Sequence, residues 1–487
     1  MRANTVRPYD IAYTRLDKSE IEEHKESNME AYLTFRFPED FLIGTANSAF
    51  QSEGAWDRDG KSESNMDYYA RQVAGKPRGK TSPYAKDLPD RGCFFYDHYE
   101  EYIEDMQKTG QNTYRLSISW CRVIPDGVGA VNPNGIAFYN KVIDKLLSCN
   151  MIPLVDLYHW DMPQCLQEKG GFANPDFPSW FENYAKVCFA AFGDRVKMWS
   201  TFNESAVAVT YGYIRGTFPP FEKNEKSGLQ AIHNCLLAHF KAVRLYKSMN
   251  LGGKIGAVNP FAPATPARIC REDIEACARS MEYIFDFWTE PMVKGHYPKM
   301  LLETCPEIAA AMPEGYAKDI AENFVRMDFL GINYYFSRRG QYDPDAFLGC
   351  KASVEVYFAE PGQSYPPYPA GLFDLVQYVS DRYDNIDIYI TENGFASKNI
   401  GDMEKECDDE DRILYIREHL RILARLIKAG YKNLKGYYYW NDADSYEELD
   451  GYNLRFGLTW VDHKTGERRW KKSRYYYAEV CKNRMVN

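Results

Sequence analysis

Short runs of apolar, β-branched and aromatic residues recur along the chain, each followed by a loop and then by a stretch whose apolar positions return every three to four residues. The runs FLIGTA (41–46), NTYRLSIS (112–119), IPLVDLYH (152–159), VKMWSTFN (196–203), KIGAVNP (254–260), DFLGINYY (328–335), DIYIT (387–391) and KGYYYW (435–440) are nearly continuous rather than alternating. That pattern predicts strands of a covered parallel sheet. Between them, Phe181, Tyr184, Cys188 and Phe192 fall on one helical stripe, as do Leu229, Ile232, Leu236, Phe240 and Val243. A third stripe, Ile413, Ile416, Leu420, Leu423 and Ile427, is expected to start behind the acidic caps Asp408 and Asp409 and to stop at Gly430. Eight such units predict an α/β fold, a single (β/α)8 TIM barrel with long βα loops over 35–487, behind a polar N-terminal extension at 1–34. One of those loops is the Pro-rich segment 360–369. An open doubly wound sheet is the structural alternative, but no GxGxxG follows the first strand.

A barrel of this kind builds its site at the C-terminal ends of its strands. Unusual polar residues collect there: Gln51 and Glu53 after the first strand, Arg115 in the second, His159 and Trp160 at the third, Asn203 and Glu204 at the fourth, Asn333 and Tyr335 at the sixth, Glu392 at the seventh and Trp440 at the eighth. Each alone has an ordinary reading. Arg115 would be half of an ion pair, His159 a bonded core residue, the tryptophans rim packing, the asparagines partners of loop backbone and the glutamates salt-bridge members. Their shared rim favours a site instead. The fourth and seventh strands lie nearly opposite each other in an eight-stranded barrel, so Glu204 and Glu392 should face one another across its mouth. Two carboxyls flanking a pocket suit cleavage of a glycosidic bond, one protonating the leaving oxygen while the other attacks or directs water at the anomeric carbon.

Composition narrows the partners. The 487 residues are 45% hydrophobic and 26% charged, enough for a large core, and carry a net charge of −10 with both signs interspersed. There is no basic stripe for nucleic acid and no polybasic anchor for a membrane surface, so a small-molecule partner is expected. No apolar run reaches the roughly 18–20 residues of a membrane helix, and residues 1–30 lack the apolar segment of a secretory signal. The twelve cysteines are scattered without a CxxC pair, which suits reduced thiols and a cytoplasmic location; Cys121, Cys149 and Cys188 read as core filler. No metal-ligand cluster is visible, and no cofactor is expected.

From FRFPEDFLIGTANSAFQSEG to FGLTWVDHKTGERRWKKS, about residues 35–480, the chain resembles glycoside hydrolase family 1, the β-glucosidase family. NTYRLSISW, YHWDMP, TFNE, GINYY and YITENG occur in that family's order. The resemblance implies a retaining, exo-acting β-glycosidase that hydrolyses β-O-glycosides or oligosaccharides by double displacement. Glu392 in TENG matches the nucleophile and Glu204 in TFNE the acid/base. Arg115 and Tyr335 would keep Glu392 ionised while Glu204 holds its proton. Asn203 matches the residue that holds the sugar 2-hydroxyl. Gln51, His159 and Glu447 match further hydroxyl ligands, and Trp440 matches the aromatic platform of subsite −1. Trp160 and Asn333, at the same rim, are expected to bind substrate with them.

The pattern departs from the family after the last strand, in WNDADSYEELDGYNLRFGL. Aligned on Trp440 and Gly451, Glu447 falls on the sugar-binding glutamate and Glu448 on what is usually tryptophan; Asn441 to Ala443 are unusual too. Either Glu448 turns outward or pairs with an Arg or Lys, or it alters sugar selectivity toward a cationic or 3-substituted glycone. A 6-phospho-β-glycosidase of the family would be expected to carry Ser and Lys in this loop, where the chain has Glu447, Glu448 and Asp450, a poor setting for a dianion. Transglycosylation stays open, as does a homo-oligomer. A non-catalytic sugar-binding protein would not require both glutamates.

Overall fold

The computed structural model describes residues 35–73, 88–353, 367–448 and 450–487. The expected extension at 1–34 and most of the segment 360–369 lie outside them. All eight expected strands form. Leu42–Ala46 (β1), Thr113–Ser117 (β2), Ile152–Tyr158 (β3), Met198–Asn203 (β4), Lys254–Pro260 (β5), Phe329–Asn333 (β6), Asp387–Asn393 (β7) and Leu434–Trp440 (β8) close into one parallel barrel, with β8 pairing back onto β1. The fold is the (β/α)8 TIM barrel.

Helices wrap the barrel in chain order: Phe95–Thr109 (α1), Pro133–Ser148 (α2), Phe177–Phe192 (α3), Glu225–Ser248 (α4), Phe287–Lys294 (α5), Gly371–Arg382 (α6), Glu410–Lys428 (α7) and Lys472–Asn483 (α8). The predicted stripes on α3 and α4 are buried throughout. On α7, Ile416, Leu420 and Leu423 are buried, while Ile413 and Ile427 at its ends are half-buried. The expected acidic cap works differently. Asp409 does precede α7, but its carboxylate caps no N–H of that helix: it accepts from Arg412 Nε (2.7 Å) and, at the start of α8, from the Ser473 backbone N–H (2.9 Å) and Oγ (2.7 Å), so it ties α7 to α8.

Two apolar layers result. The larger lies between sheet and helices, and a smaller one fills the barrel with Leu42, Leu154, Met198, Phe329, Tyr389 and Tyr438. This inner plug makes the barrel a packed core rather than a pore, leaving the C-terminal mouth as the place for polar groups.

Two irregularities of register aim residues into that mouth. On β4, Ser200 pairs with Gly256 and Asn203 with Val258, so β4 carries one residue more than β5 over that span. On β7, Ile390 pairs with Ile332 and Glu392 with Asn333, again one extra residue. Side chains alternate along a strand, so each extra residue turns the next positions to the opposite face. Gly394 closes the seventh strand because a Cβ there would lie 1.9 Å from the Trp440 carbonyl oxygen.

Candidate active site

Arg115, in the middle of β2 and fully buried, organises the mouth. One of its terminal nitrogens, Nη1, donates to Glu392 Oε1 at 2.7 Å and to the Thr391 carbonyl at 3.2 Å. The other, Nη2, donates to Asn203 Oδ1 at 2.6 Å and pairs with Asp156 Oδ2 at 2.6 Å. Tyr335 donates its hydroxyl to Glu392 Oε2 at 2.7 Å, so both oxygens of that carboxylate are held.

Glu204 sits opposite in environment. It follows β4 at φ 48°, a left-handed conformation that is uncommon for a non-glycine residue, and turns the chain from strand into the short helix Ser205–Val209. Its Oε1 accepts one amide bond, from Asn333 Nδ2 at 3.0 Å. Burial, and then the charge of Glu392, push its pKa up to about 8. Burial also raises Glu392 above the ordinary carboxylate range, against the downward pull of the Arg115 charge and the bonds from Arg115 and Tyr335. The two groups expected to keep Glu392 ionised, Arg115 and Tyr335, both bond it, and although burial works against them it is the better stabilised of two buried acids.

The amides are tightly specified. Asn203 Oδ1 accepts from both Arg115 and Asn333 (3.0 Å), which points its Nδ2 at His159 Nε2, 3.0 Å away. His159 is held well below its ordinary pKa, first by burial and then by the Arg115 charge, and is therefore neutral. Asn333, expected to bind substrate, spends its Nδ2 on Asn203 and Glu204 and its Oδ1 on Thr391 (2.8 Å), so it positions the acid. Trp160 packs at the rim and donates its indole N–H to the Asn203 carbonyl at 3.2 Å.

At the far side of the mouth Gln51 reaches the Tyr446 carbonyl (2.9 Å) and Glu447 Oε2 (3.4 Å). Trp440 stacks on His159 with ring centres 5.7 Å apart. Glu447 is pushed well above its ordinary pKa by burial and by the charges of Glu448, Asp450 and Glu392. Glu448 does not turn outward. It is half-buried, and burial raises it to about 8, with the charges of Glu392 and Asp450 adding to the rise. Among the described residues no cation forms an ion pair with it. The expected set thus converges on one mouth, with one exception: Glu53 faces away, held by Arg122 (2.8 Å) and Tyr139 (2.6 Å) in a structural cluster.

Asp156 was not singled out from the sequence. It lies in β3 beneath Arg115, accepts from Ser200 and is fully buried. The signal was present as an acid inside the apolar run IPLVDLY, one strand from the arginine.

The family model described as Glycosyl hydrolase family 1 matches residues 33–486. This chain belongs to glycosyl hydrolase family 1. A 1,4-beta-D-glucan glucohydrolase of Thermotoga neapolitana is 37% identical over 450 residues, 92% of this chain and 98% of that protein. A 6-phospho-beta-galactosidase of Clostridium acetobutylicum is 37% identical over 91% of this chain and 96% of its own length. Among solved structures, a family 1 b-glucosidase from Thermotoga maritima superposes with a TM-score of 0.87 at 35% identity, covering 93% of this chain and 99% of that one. The family 1 chain is a glycoside hydrolase, and its relatives make it a β-glycosidase. Among the described residues no helix is long and apolar enough to cross a membrane.

Proposed function

We propose that this family 1 member is a retaining, exo-acting β-glycosidase working by double displacement. The observation that carries the reading is the asymmetry of its two acids: Glu392 holds two strong donors, Arg115 and Tyr335, whereas Glu204 has a single amide donor and a pKa near 8. Glu392 is thus the carboxylate that attacks the anomeric carbon, and Glu204 is the acid that protonates the departing oxygen. Once Glu392 is esterified its negative charge is gone, the push on Glu204 weakens, and Glu204 can deprotonate the incoming water. Asn203, His159, Gln51 and Glu447 would take the sugar hydroxyls, and Trp440 its apolar face.

Turnover of a 2-fluoro β-glucoside tests this. The electronegative fluorine slows both steps and an activated leaving group such as dinitrophenolate restores the first, so a covalent adduct should accumulate, and digestion should place the added mass on the peptide containing Glu392. An α-configured first product seen by NMR, or an adduct elsewhere, would overturn the reading.

Glu448 bears on the sugar. Glu204, Glu392, Glu447, Glu448 and Asp450 surround one pocket in which Arg115 is already shared with Asp156. An ammonium group on the glycone would relieve that excess of acid. Relative rates on aryl β-glucosaminide and aryl β-glucoside, in the wild type and in Glu448→Trp, check it. A ratio unchanged by the substitution would remove the selectivity claim.

The relationship to a 6-phospho-beta-galactosidase supports a second reading, as a 6-phospho-β-glycosidase. The same acids weigh against it, since a phosphate dianion would sit beside Glu447, Glu448 and Asp450. Phosphorylated and plain nitrophenyl glycosides separate the two readings.

A further inference from the structure

We propose that Cys277 and Cys350 form an oxidisable thiol pair, which a low-molecular-weight disulfide such as glutathione disulfide converts into a disulfide clasp between a hairpin at the barrel mouth and the helix packed on it. The hairpin, strands Arg338–Tyr342 and Cys350–Ser353, continues from the end of β6 shortly beyond Tyr335. A short strand from the loop after β5, Ala264–Pro266, pairs with it, and the helix Arg271–Met281 follows that strand in the same loop.

Two polar contacts hold the helix to the hairpin on either side of Cys277. Asp273, one helical turn earlier on the same face, accepts the Tyr342 N–H at 2.8 Å, and Arg279 Nε donates to the Leu348 carbonyl at 2.9 Å. Tyr342 is the cross-strand partner of Cys350, so the turn of helix that carries Cys277 is seated where the strand carries Cys350. Gly340 leaves the room between them. A Cβ there would lie 2.4 Å from Cys277 Sγ and 3.1 Å from Cys350 Sγ, so both sulfurs converge on the spot that this glycine keeps empty.

The surroundings divide the labour between the thiols. Cys277 is buried, whereas Cys350 is half-buried and lies near two guanidiniums, those of Arg279 and of Arg338, whose Nη2 donates to the Ala262 carbonyl at 2.8 Å. The Cys277 thiol is the strongest influence on Cys350, burial opposes it, and the charges of Arg338 and Arg279 add to it; together they hold the Cys350 thiol below its ordinary pKa. Burial pushes the isolated core thiols Cys93, Cys188, Cys235 and Cys481 the other way. Cys350 is therefore the attacking thiolate. Its sulfur bonds to one sulfur of glutathione disulfide and expels a glutathione thiolate, which takes up the proton that Cys350 released. Cys277 then loses its proton, attacks the Cys350 sulfur of the mixed disulfide and expels the second glutathione thiolate, which is protonated in turn. Two protein thiols are oxidised, and one glutathione disulfide is reduced to two glutathiones.

The test incubates the full chain in glutathione buffers from reduced to oxidised, quenches in acid, alkylates the remaining thiols after unfolding and digests without reduction. The oxidised wild type should yield a linked peptide pair joining Cys277 to Cys350, with the other cysteines alkylated. Cys277→Ser should stop at a glutathione adduct on Cys350, and Cys350→Ser should leave Cys277 alkylated. Because a cross-link restricts the unfolded chain, the thermal midpoint of the oxidised wild type should rise above that of the reduced protein and return with dithiothreitol, a rise that neither variant shows. Absence of the Cys277–Cys350 peptide pair in excess glutathione disulfide, a link from either residue to another cysteine, a glutathione adduct on Cys277 in Cys350→Ser, or a linked protein with an unchanged midpoint would each overturn the proposal.

Discussion

Nη1 of Arg115 lies 2.7 Å from Oε1 of Glu392, while Nη2 of the same guanidinium lies 2.6 Å from Oδ1 of Asn203. One buried cation thus sets both the charge of the proposed nucleophile and the orientation of the amide beside the proposed acid. Because guanidinium is planar, the two contacts cannot shift independently.

Tyr335→Phe removes the second donor to Glu392. A hydrogen bond to a charged group is worth about 1.5–3 kcal/mol, so kcat should fall by roughly 10- to 100-fold. The Tyr335 bond lowers the pKa of Glu392. Its loss should therefore move the acid limb of the pH–kcat/KM profile to higher pH.

Asp156→Asn should move that limb the other way. The Asp156 charge raises the pKa of Glu392 and competes for Arg115. With it neutralised, Glu392 should stay ionised to lower pH, read as a downward shift of the acid limb on the same substrate.

Glu448→Gln addresses the alkaline limb. Glu204 must carry its proton for the first step, so activity should fall as pH rises past about 8. The charge of Glu448 adds to that elevated value, and Glu448 itself titrates near 8. The limb thus belongs to coupled groups. Removing one acid should shift it to lower pH; a limb that stays in place would argue that Glu448 is electrostatically remote from Glu204.

Glu53→Ala separates structure from chemistry. It leaves Arg122 buried with its carboxylate partner gone, a loss on the order of 3–5 kcal/mol, measurable as a lower urea midpoint. The activity that survives should keep both pH limbs, because the Glu53 carboxylate is spent on Arg122 and Tyr139.

The alternation of apolar runs and helical stripes was sufficient to predict all eight barrel strands, because a strand covered on both faces must be apolar along its length whatever its neighbours are. The placement of Glu204, Asn203, Arg115 and Glu392 at one rim followed from the same counting. What the linear pattern could not carry is which way each rim residue faces. Glu53 and Gln51 are two residues apart, yet one is locked to Arg122 and the other reaches Glu447. The extra residues in β4 and β7 that turn Asn203 and Glu392 into the mouth exist only as a mismatch between paired strands. Glu448 illustrates the division most plainly. Its identity was readable from the chain, but its carboxyl's elevated pKa beside Glu392 and Asp450 arises only when loops distant in sequence exclude water from the same space.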